Sequence, residues 1–336
     1  MKKSDFYYEL PKDLIAQRPL KERDKARLMV LDRFEGSMKE KVFRDIVEYL
    51  REGDCLVLND TRVVPARLYG KRKTGGKVEI FLLDTDQVQS RALIRPSRRV
   101  KQGETIELES GHIATVLGQA DTGRFVKFDI PLSEALKSGH TPLPPYISRD
   151  DLPEDREYYQ TVYGHADGAT ASPTAGLHFT RELLEKFETR GVTIAKVTLH
   201  TSYGSFAPVK AEDIEDHEMH FEYFNIDETA ADVINKSKRA GGRVFSVGTT
   251  STRVLETAAG DRGEVNPLSG KTNLFIYPGY RFKIVTGIIT NFHLPESTLL
   301  MLVCAFAGRD LVLRAYGRAI NSGFRFYSYG DAMLVV

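Results

Sequence analysis

DCLVLNDTRVVPARLYG, residues 54–70, is where one kind of chain gives way to another. Asp54 to Leu58 reads as a strand feeding directly into NDTRVVPARLYG (59–70). Upstream, Asp13–Ala16 and Val42–Leu50 read as helices. Downstream, from Arg62 to about Ile130, short β-branched runs take over: Lys77–Leu83, Ala92–Ile94, Thr105–Leu108, Ile113–Leu117 and Phe125–Ile130. Turn signals separate them at Thr74-Gly75-Gly76, Lys101-Gln102-Gly103, Ser110-Gly111 and Thr122-Gly123. Regularly spaced short strands with glycine turns predict an antiparallel barrel or sandwich. The proline-rich LPPYI (143–147) punctuates its end.

Beyond about residue 150 helices and strands alternate. Thr180 is placed to N-cap a helix running to Arg190, with Gly191 just past its end. Val192–Leu199 then reads as a buried strand, Asp227–Arg239 as helix, Arg243–Val247 as strand and Ser251–Ala259 as helix. Strands are expected at Leu274–Tyr277 and Ile284–Phe292, helices at Leu299–Phe306 and Asp310–Asn321, and a last strand segment within Phe324–Val336. Such alternation predicts an α/β layer architecture. At roughly 150 residues per domain, 336 residues make about two domains.

Composition narrows the function classes. The chain is 41% hydrophobic with a net charge of only +1, so its average charge announces no nucleic-acid partner. The average conceals a strip. Between Arg62 and Lys101 stand eleven Lys/Arg, among them Arg62, Arg67, Lys71, Arg72, Arg95, Arg98 and Arg99, against three acids, a local net of +8. That is the electrostatic footprint of a phosphate-backbone binder, or else a solvated β surface with lysine-rich edges. Cys55 and Cys304 are far apart and no CxxC occurs, which argues against a disulfide framework or a cysteine zinc site and fits a reducing cytosol. The N-terminal MKKSDFYYELPKDLIAQRP lacks the apolar stretch of a secretory signal. The longest apolar run, Leu299–Ala307, is far short of the ~20 residues that span a bilayer, so a cytoplasmic location is expected.

Three groups carry candidate chemistry. Gly248-Thr249-Thr250-Ser251 lies between a strand and a helix, where it either caps the helix or offers a carboxylate or phosphate the N–H groups of a helix start. No GxGxxG or Walker motif accompanies it, which disfavours a standard nucleotide cradle. EDHEMH (215–220) sets His217 and His220 among carboxylates at a spacing that does not match the i, i+4 pair of HExxH. No metal is expected there, and the histidines are candidates for proton transfer. His178 in SPTAGLHFT (172–180), His200 after a strand, and His293 in NFHLPES (291–297) stand at probable element ends, where α/β sites gather.

NDTRVVPARLYG, LPPYI, YYQTVYG (158–164), SPTAGLHFT, EDHEMH, SVGTTSTRVLE (246–256), TNFHLPESTLLMLVCAFAG (290–308) and FYSYGDAML (326–334) together resemble the S-adenosylmethionine:tRNA ribosyltransferase-isomerase family over nearly the whole chain. Thr201, Ser202 and Tyr203, and Thr286 where the family usually has aspartate, depart from its pattern. The resemblance implies a discontinuous α/β catalytic domain, 1–62 and 151–336, with a β-barrel inserted at 63–150. It implies transfer of the ribosyl part of S-adenosylmethionine to an aminomethyl-deazaguanine in the tRNA anticodon, giving epoxyqueuosine, adenine and methionine. S-adenosylmethionine is then a co-substrate, with no permanently bound cofactor and no metal.

On this basis His178, His217 and His220 are candidates for acid–base work, with Asp331 as a carboxylate partner. Arg253 and residues Gly248, Thr249, Thr250 and Ser251 are candidates for the methionine carboxylate. Tyr163, with Tyr159 and Tyr329, is a candidate to stack on adenine or the anticodon base, buried core being the alternative. A methyltransferase and a non-catalytic RNA-binding protein are the competing classes. Product analysis separates the first, binding of S-adenosylmethionine the second.

Overall fold

A computed structural model describes residues 1–84, 89–201 and 209–336. Its main body is a nine-stranded sheet. Near the N-terminus come β1 (Arg27–Leu31), β2 (Met38–Val42), β3 (Cys55–Asn59) and the short β4 (Thr61–Val63). The barrel strands follow: β5 (Arg67–Arg72), β6 (Lys77–Leu82), β7 (Ser90–Arg95), β8 (Thr105–Leu108), β9 (Ile113–Gln119) and β10 (Arg124–Phe128). Helices α1 (Leu132–Lys137) and α2 (Asp155–Tyr158) lead to β11 (Ala166–Ala169), which pairs with β4. After that, α3 (Arg181–Thr189), β12 (Thr193–Leu199), β13 (Glu222–Ile226), α4 (Glu228–Arg239), β14 (Val244–Val247) and α5 (Gly248–Thr257) alternate. The chain closes with β15 (Leu268–Thr272), β16 (Gly287–Asn291), α6 (Thr298–Ala307), α7 (Arg309–Asn321) and β17 (Ala332–Val335).

The large sheet runs β15-β13-β12-β3-β14-β16-β17-β1-β2. β12, β3, β14 and β16 are mutually parallel. All five residues of β3 are buried, the signature of a parallel strand covered on both faces. Alternate side chains divide between two cores: Cys55 and Val57 face one, Leu56 and Leu58 the other, and β1 splits Met29 and Leu31 from Leu28 and Val30 in the same way. Asp54 ties two strands at the sheet's lower edge, accepting from the Arg243 main-chain nitrogen at 2.9 Å and its guanidinium at 2.6 Å.

Immediately after β3 and β4 the chain enters a closed six-stranded barrel, all of whose pairings are antiparallel, so of barrel and sandwich it is the barrel that forms. Leu68, Val78, Ile80, Ala92, Ile106 and Val116 fill its interior.

Four expected elements differ. Residues 13–16 and 42–50 do not form α-helices but tight 3-10 helices, Lys12–Leu14 and Phe43–Tyr49, the second too short of interior helical contacts to bury more than Phe43 and Ile46. Leu274–Tyr277 is not a strand; Phe275 and Tyr277 pack onto the core as loop side chains, while the real edge strand, β15, is mostly polar. Apolarity there signals burial, not pairing. Within Phe324–Val336 only Ala332–Val335 is strand.

Candidate active site

The parallel strands end on one side of the sheet, the edge at which α/β proteins assemble ligand sites. A pocket lies there, between the residues after β14, the residues after β16 and the segment 172–175.

The wall after β14 is α5. The chain must leave the strand at Val247 and begin the helix at once, and Gly248 does so at φ +84°, in the left-handed region that favours glycine. The helix therefore starts three residues earlier than the sequence pattern indicates. Thr249, Thr250 and Ser251 sit inside its first turn and do not cap it. The cap position is Val247, which has no side-chain hydrogen bond to give. The first N–H groups and the positive end of the helix dipole are left without a side-chain acceptor. Thr250 Oγ1 and Ser251 Oγ are buried with no partner among the described residues.

One turn on, Arg253 lines the same pocket. Its Nε donates to the Leu274 carbonyl at 3.0 Å and its Nη1 to Glu222 of β13. Its Nη2 is buried and unpartnered among the described residues. Ser172 Oγ and Thr201 Oγ1, also on the pocket, are in the same condition. Buried polar atoms are nearly always satisfied, so four orphans on lining residues of one cavity, Thr250, Arg253, Ser172 and Thr201, mark a place for a polar ligand.

The wall after β16 is built on Asn291. Its Oδ1 accepts from Thr174 at 3.1 Å, and its Nδ2 donates to the Tyr327 carbonyl at 3.1 Å and faces His178 Nε2 at 3.2 Å. His178 thus stands behind Asn291 and not on the pocket. Burial first, then the Arg325 charge, push its pKa down to about 3, while a hydrogen bond to the Arg23 main chain works the other way. A neutral ring bonded to Arg23 through one nitrogen presents a lone pair to the asparagine amide through the other. His178 orients Asn291.

The histidine that does line the pocket is His293. Its Nε2 is paired with Thr290 at 2.7 Å, and its other ring nitrogen has no partner among the described residues. Burial holds its pKa down to about 3, so the ring is neutral. Tyr327 completes the wall at φ +69°, a strained conformation for an aromatic residue. It is held there by the Asn291 bond to its carbonyl, by donation to the Phe292 carbonyl at 3.1 Å and by packing on the Tyr146 ring at 4.7 Å.

Other expected site residues lie elsewhere. His217 is half-buried, edge-on to Phe275 at 5.3 Å, and His220 is exposed. Both belong to the segment that anchors the N-terminal amine through Glu215, at 2.7 Å. Asp331 is buried and accepts from the Arg27 and Arg325 main-chain nitrogens at 2.9 and 2.7 Å, tying the start of β1 and residue 325 to the residue before β17. Tyr163, Tyr159 and Tyr329 are core residues; the Tyr329 hydroxyl donates to Asp155 at 2.8 Å. Thr286 exchanges hydrogen bonds with the Val244 main chain and so stitches β14, away from the pocket. The 201–203 departure falls mostly within 202–208, outside the described residues.

The basic strip divides in two. Arg72 is paired with Glu104 and Arg91 with Asp84, each through two hydrogen bonds, while Arg67 lies 3.4 Å from Glu79. Arg62 reaches only to 3.8 Å from Asp167. Lys71, Lys77, Arg95, Arg98, Arg99 and Lys101 are exposed and make no ion pair among the described residues. Lys71 is register-paired with Lys77, and Glu79 with Arg95, so these charges share the outer face of β5-β6-β7.

Comparison with known proteins places this geometry in context. A family model described as "Queuosine biosynthesis protein" matches residues 3–335. S-adenosylmethionine:tRNA ribosyltransferase-isomerase of Acetivibrio thermocellus is 51% identical and that of Caldanaerobacter subterraneus 49%, each over 100% of both chains. The crystal structure of S-adenosylmethionine tRNA ribosyltransferase from Thermotoga maritima matches with TM-score 0.57 and 37% identity, over 99% of this chain and 100% of that one.

Proposed function

Because the chain belongs to the queuosine biosynthesis protein family, we propose that the pocket at the strand ends takes S-adenosylmethionine and that the basic barrel face takes tRNA. The activity is that of an S-adenosylmethionine:tRNA ribosyltransferase-isomerase. The ribosyl moiety passes to the aminomethyl group of a deazaguanine in the anticodon, epoxyqueuosine forms, and adenine and methionine leave. On this reading 1–62 and 151–336 form the catalytic unit, 63–150 the inserted barrel, and the enzyme works in the cytoplasm without a permanent cofactor.

The observation that carries the pocket assignment is its set of orphaned donors: Arg253 Nη2 and the hydroxyls of Thr250, Ser172 and Thr201, unpartnered among the described residues, beside an uncapped helix start. An anion belongs there, and the methionine carboxylate supplies one. The sulfonium acidifies the adjacent 5′ C–H. A base removes that proton, the resulting ylide expels adenine as the sugar opens, the RNA amine attacks, and the methionine sulfur departs as the epoxide closes. His293 is assigned the proton, since its neutral ring lines the pocket with one nitrogen unpaired among the described residues. Asn291, fixed by Thr174 and His178, is assigned a positioning role.

The test is product analysis with labelled S-adenosylmethionine and tRNA bearing the precursor base. Equal amounts of adenine and methionine, with no methyl group on the RNA, are expected. Methylated RNA with S-adenosylhomocysteine as co-product would place the chain among methyltransferases.

A further inference from the structure

A second cleft, of about 600 Å³, is lined by Arg23, Arg62, Arg156 and Arg181, with Glu157 as the acid among its lining residues. It forms where β4, α2, the start of α3 and the turn before β1 converge. Among the described residues, the one carboxylate within ion-pair range of these four guanidinium groups is Asp167, 3.8 Å from Arg62. Arg23 is held by the main-chain carbonyls of Gln160 at 2.5 Å and Glu157 at 2.9 Å, and Arg156 by that of Gly139 at 2.9 Å. A guanidinium oriented by neutral carbonyls keeps its full charge and its remaining donors. Arg181 is exposed with no ion pair among the described residues, and Arg62 has only Asp167 at 3.8 Å. Thr161 adds a buried hydroxyl without a partner among the described residues.

The cleft is also placed for the reaction. Arg23 lines both it and a narrow crevice that reaches Ser328, and Ser328 in turn lines the S-adenosylmethionine pocket. We propose that this cleft seats backbone phosphates of the tRNA arm carrying the reacting base, as a contact separate from the barrel face. Four guanidinium groups suit phosphodiester oxygens, which arginine engages by paired hydrogen bonds. The inference rests on the tRNA reading above.

The test is binding of an anticodon-arm hairpin RNA to the full chain over a salt series, by fluorescence anisotropy. Arg181→Glu and Arg62→Glu should each weaken binding on the order of tenfold and flatten the salt slope by about one, because each removes one phosphate contact. Affinity for S-adenosylmethionine, measured by calorimetry, should hold. Arg181→Gln, which changes charge without reversing it, should give a smaller loss of the same kind, and melting temperatures keep folding defects apart. Unchanged slopes in both reversals, alongside weakened binding by an Arg98→Glu/Arg99→Glu barrel variant, would overturn the cleft and leave the tRNA reading intact. No salt-sensitive RNA binding by the unaltered protein would overturn both.

Discussion

Burial decides what each histidine near the pocket is able to do. His178 and His293 both have pKa values pushed down to about 3, so neither ring is charged at neutral pH, and each keeps one N–H and one lone pair. Of the two, His293 lines the pocket, with one ring nitrogen unpaired among the described residues. His293→Ala should therefore slow adenine release by ~10²–10⁴ while substrate binding persists, the usual cost of losing a general base. The pH dependence follows from the sign of the shift. A base whose pKa is depressed is lost only when pH falls through the depressed value, so this group should impose no acid limb between pH 5 and 8. Single-turnover rates across that range check it; a limb near 6.5 that disappears in the alanine variant would show a ring exposed to water. At this scale the sequence reveals little. SPTAGLHFT and NFHLPES both stand out as words, yet nothing in them says that one histidine backs an asparagine and the other lines a pocket. That distinction is made by packing between residues 113 positions apart.

At the scale of elements, periodicity finds strands and helices well and fails where the chain serves a local contact. β12, β14, α4, α6 and α7 fall within a few residues of the pattern. The first turn of α5 does not, because its start is set by a glycine conformation. The residues leading into α2 are held by a side chain whose role no pattern discloses. Asp155 is fully buried and accepts from Arg149 at 2.6 and 2.9 Å, from the Leu152 main-chain nitrogen at 2.7 Å and from Tyr329 at 2.8 Å. Burial alone would raise its pKa, but these bonds hold it below the usual carboxylate range. Asp155→Ala leaves Arg149 half-buried and unpaired and should cost about 3–5 kcal/mol in denaturant unfolding. A depressed carboxylate contributes its stability above the unfolded pKa and loses it as pH falls through the folded one. The gap between wild type and variant should accordingly be full at pH 7 and shrink below about pH 4. A gap that persists unchanged in acid would mean packing, and not charge, is what Asp155 supplies.

Across the whole molecule, two surfaces are assigned different tasks by the proposed function: a pocket in the α/β body with buried polar atoms on its lining, and an open cationic face on the barrel. The charge excess of the barrel is countable in the sequence, but its effective size is not. Arg72 and Arg91 are paired with Glu104 and Asp84, while Lys71, Arg95, Arg98 and Arg99 are exposed without an ion pair among the described residues, and only the folded ion pairs tell the two sets apart. The run of short strands and glycine turns that begins near residue 62 is legible because its period of two and its turn signals recur along the sequence. The pocket is not, because its walls come from segments around 172, 201, 248 and 291 that only the folded sheet brings together. The division of labour is tested most directly by crossed titration, with S-adenosylmethionine and tRNA each titrated into Thr250→Val and into Arg98→Glu/Arg99→Glu. Thr250→Val should weaken S-adenosylmethionine binding by one to two decades, the ~1.5–3 kcal/mol of a hydrogen bond to a charged group, with tRNA affinity unmoved. The barrel reversal should do the opposite. Normal S-adenosylmethionine affinity in Thr250→Val, with only a lowered melting temperature, would contradict the account.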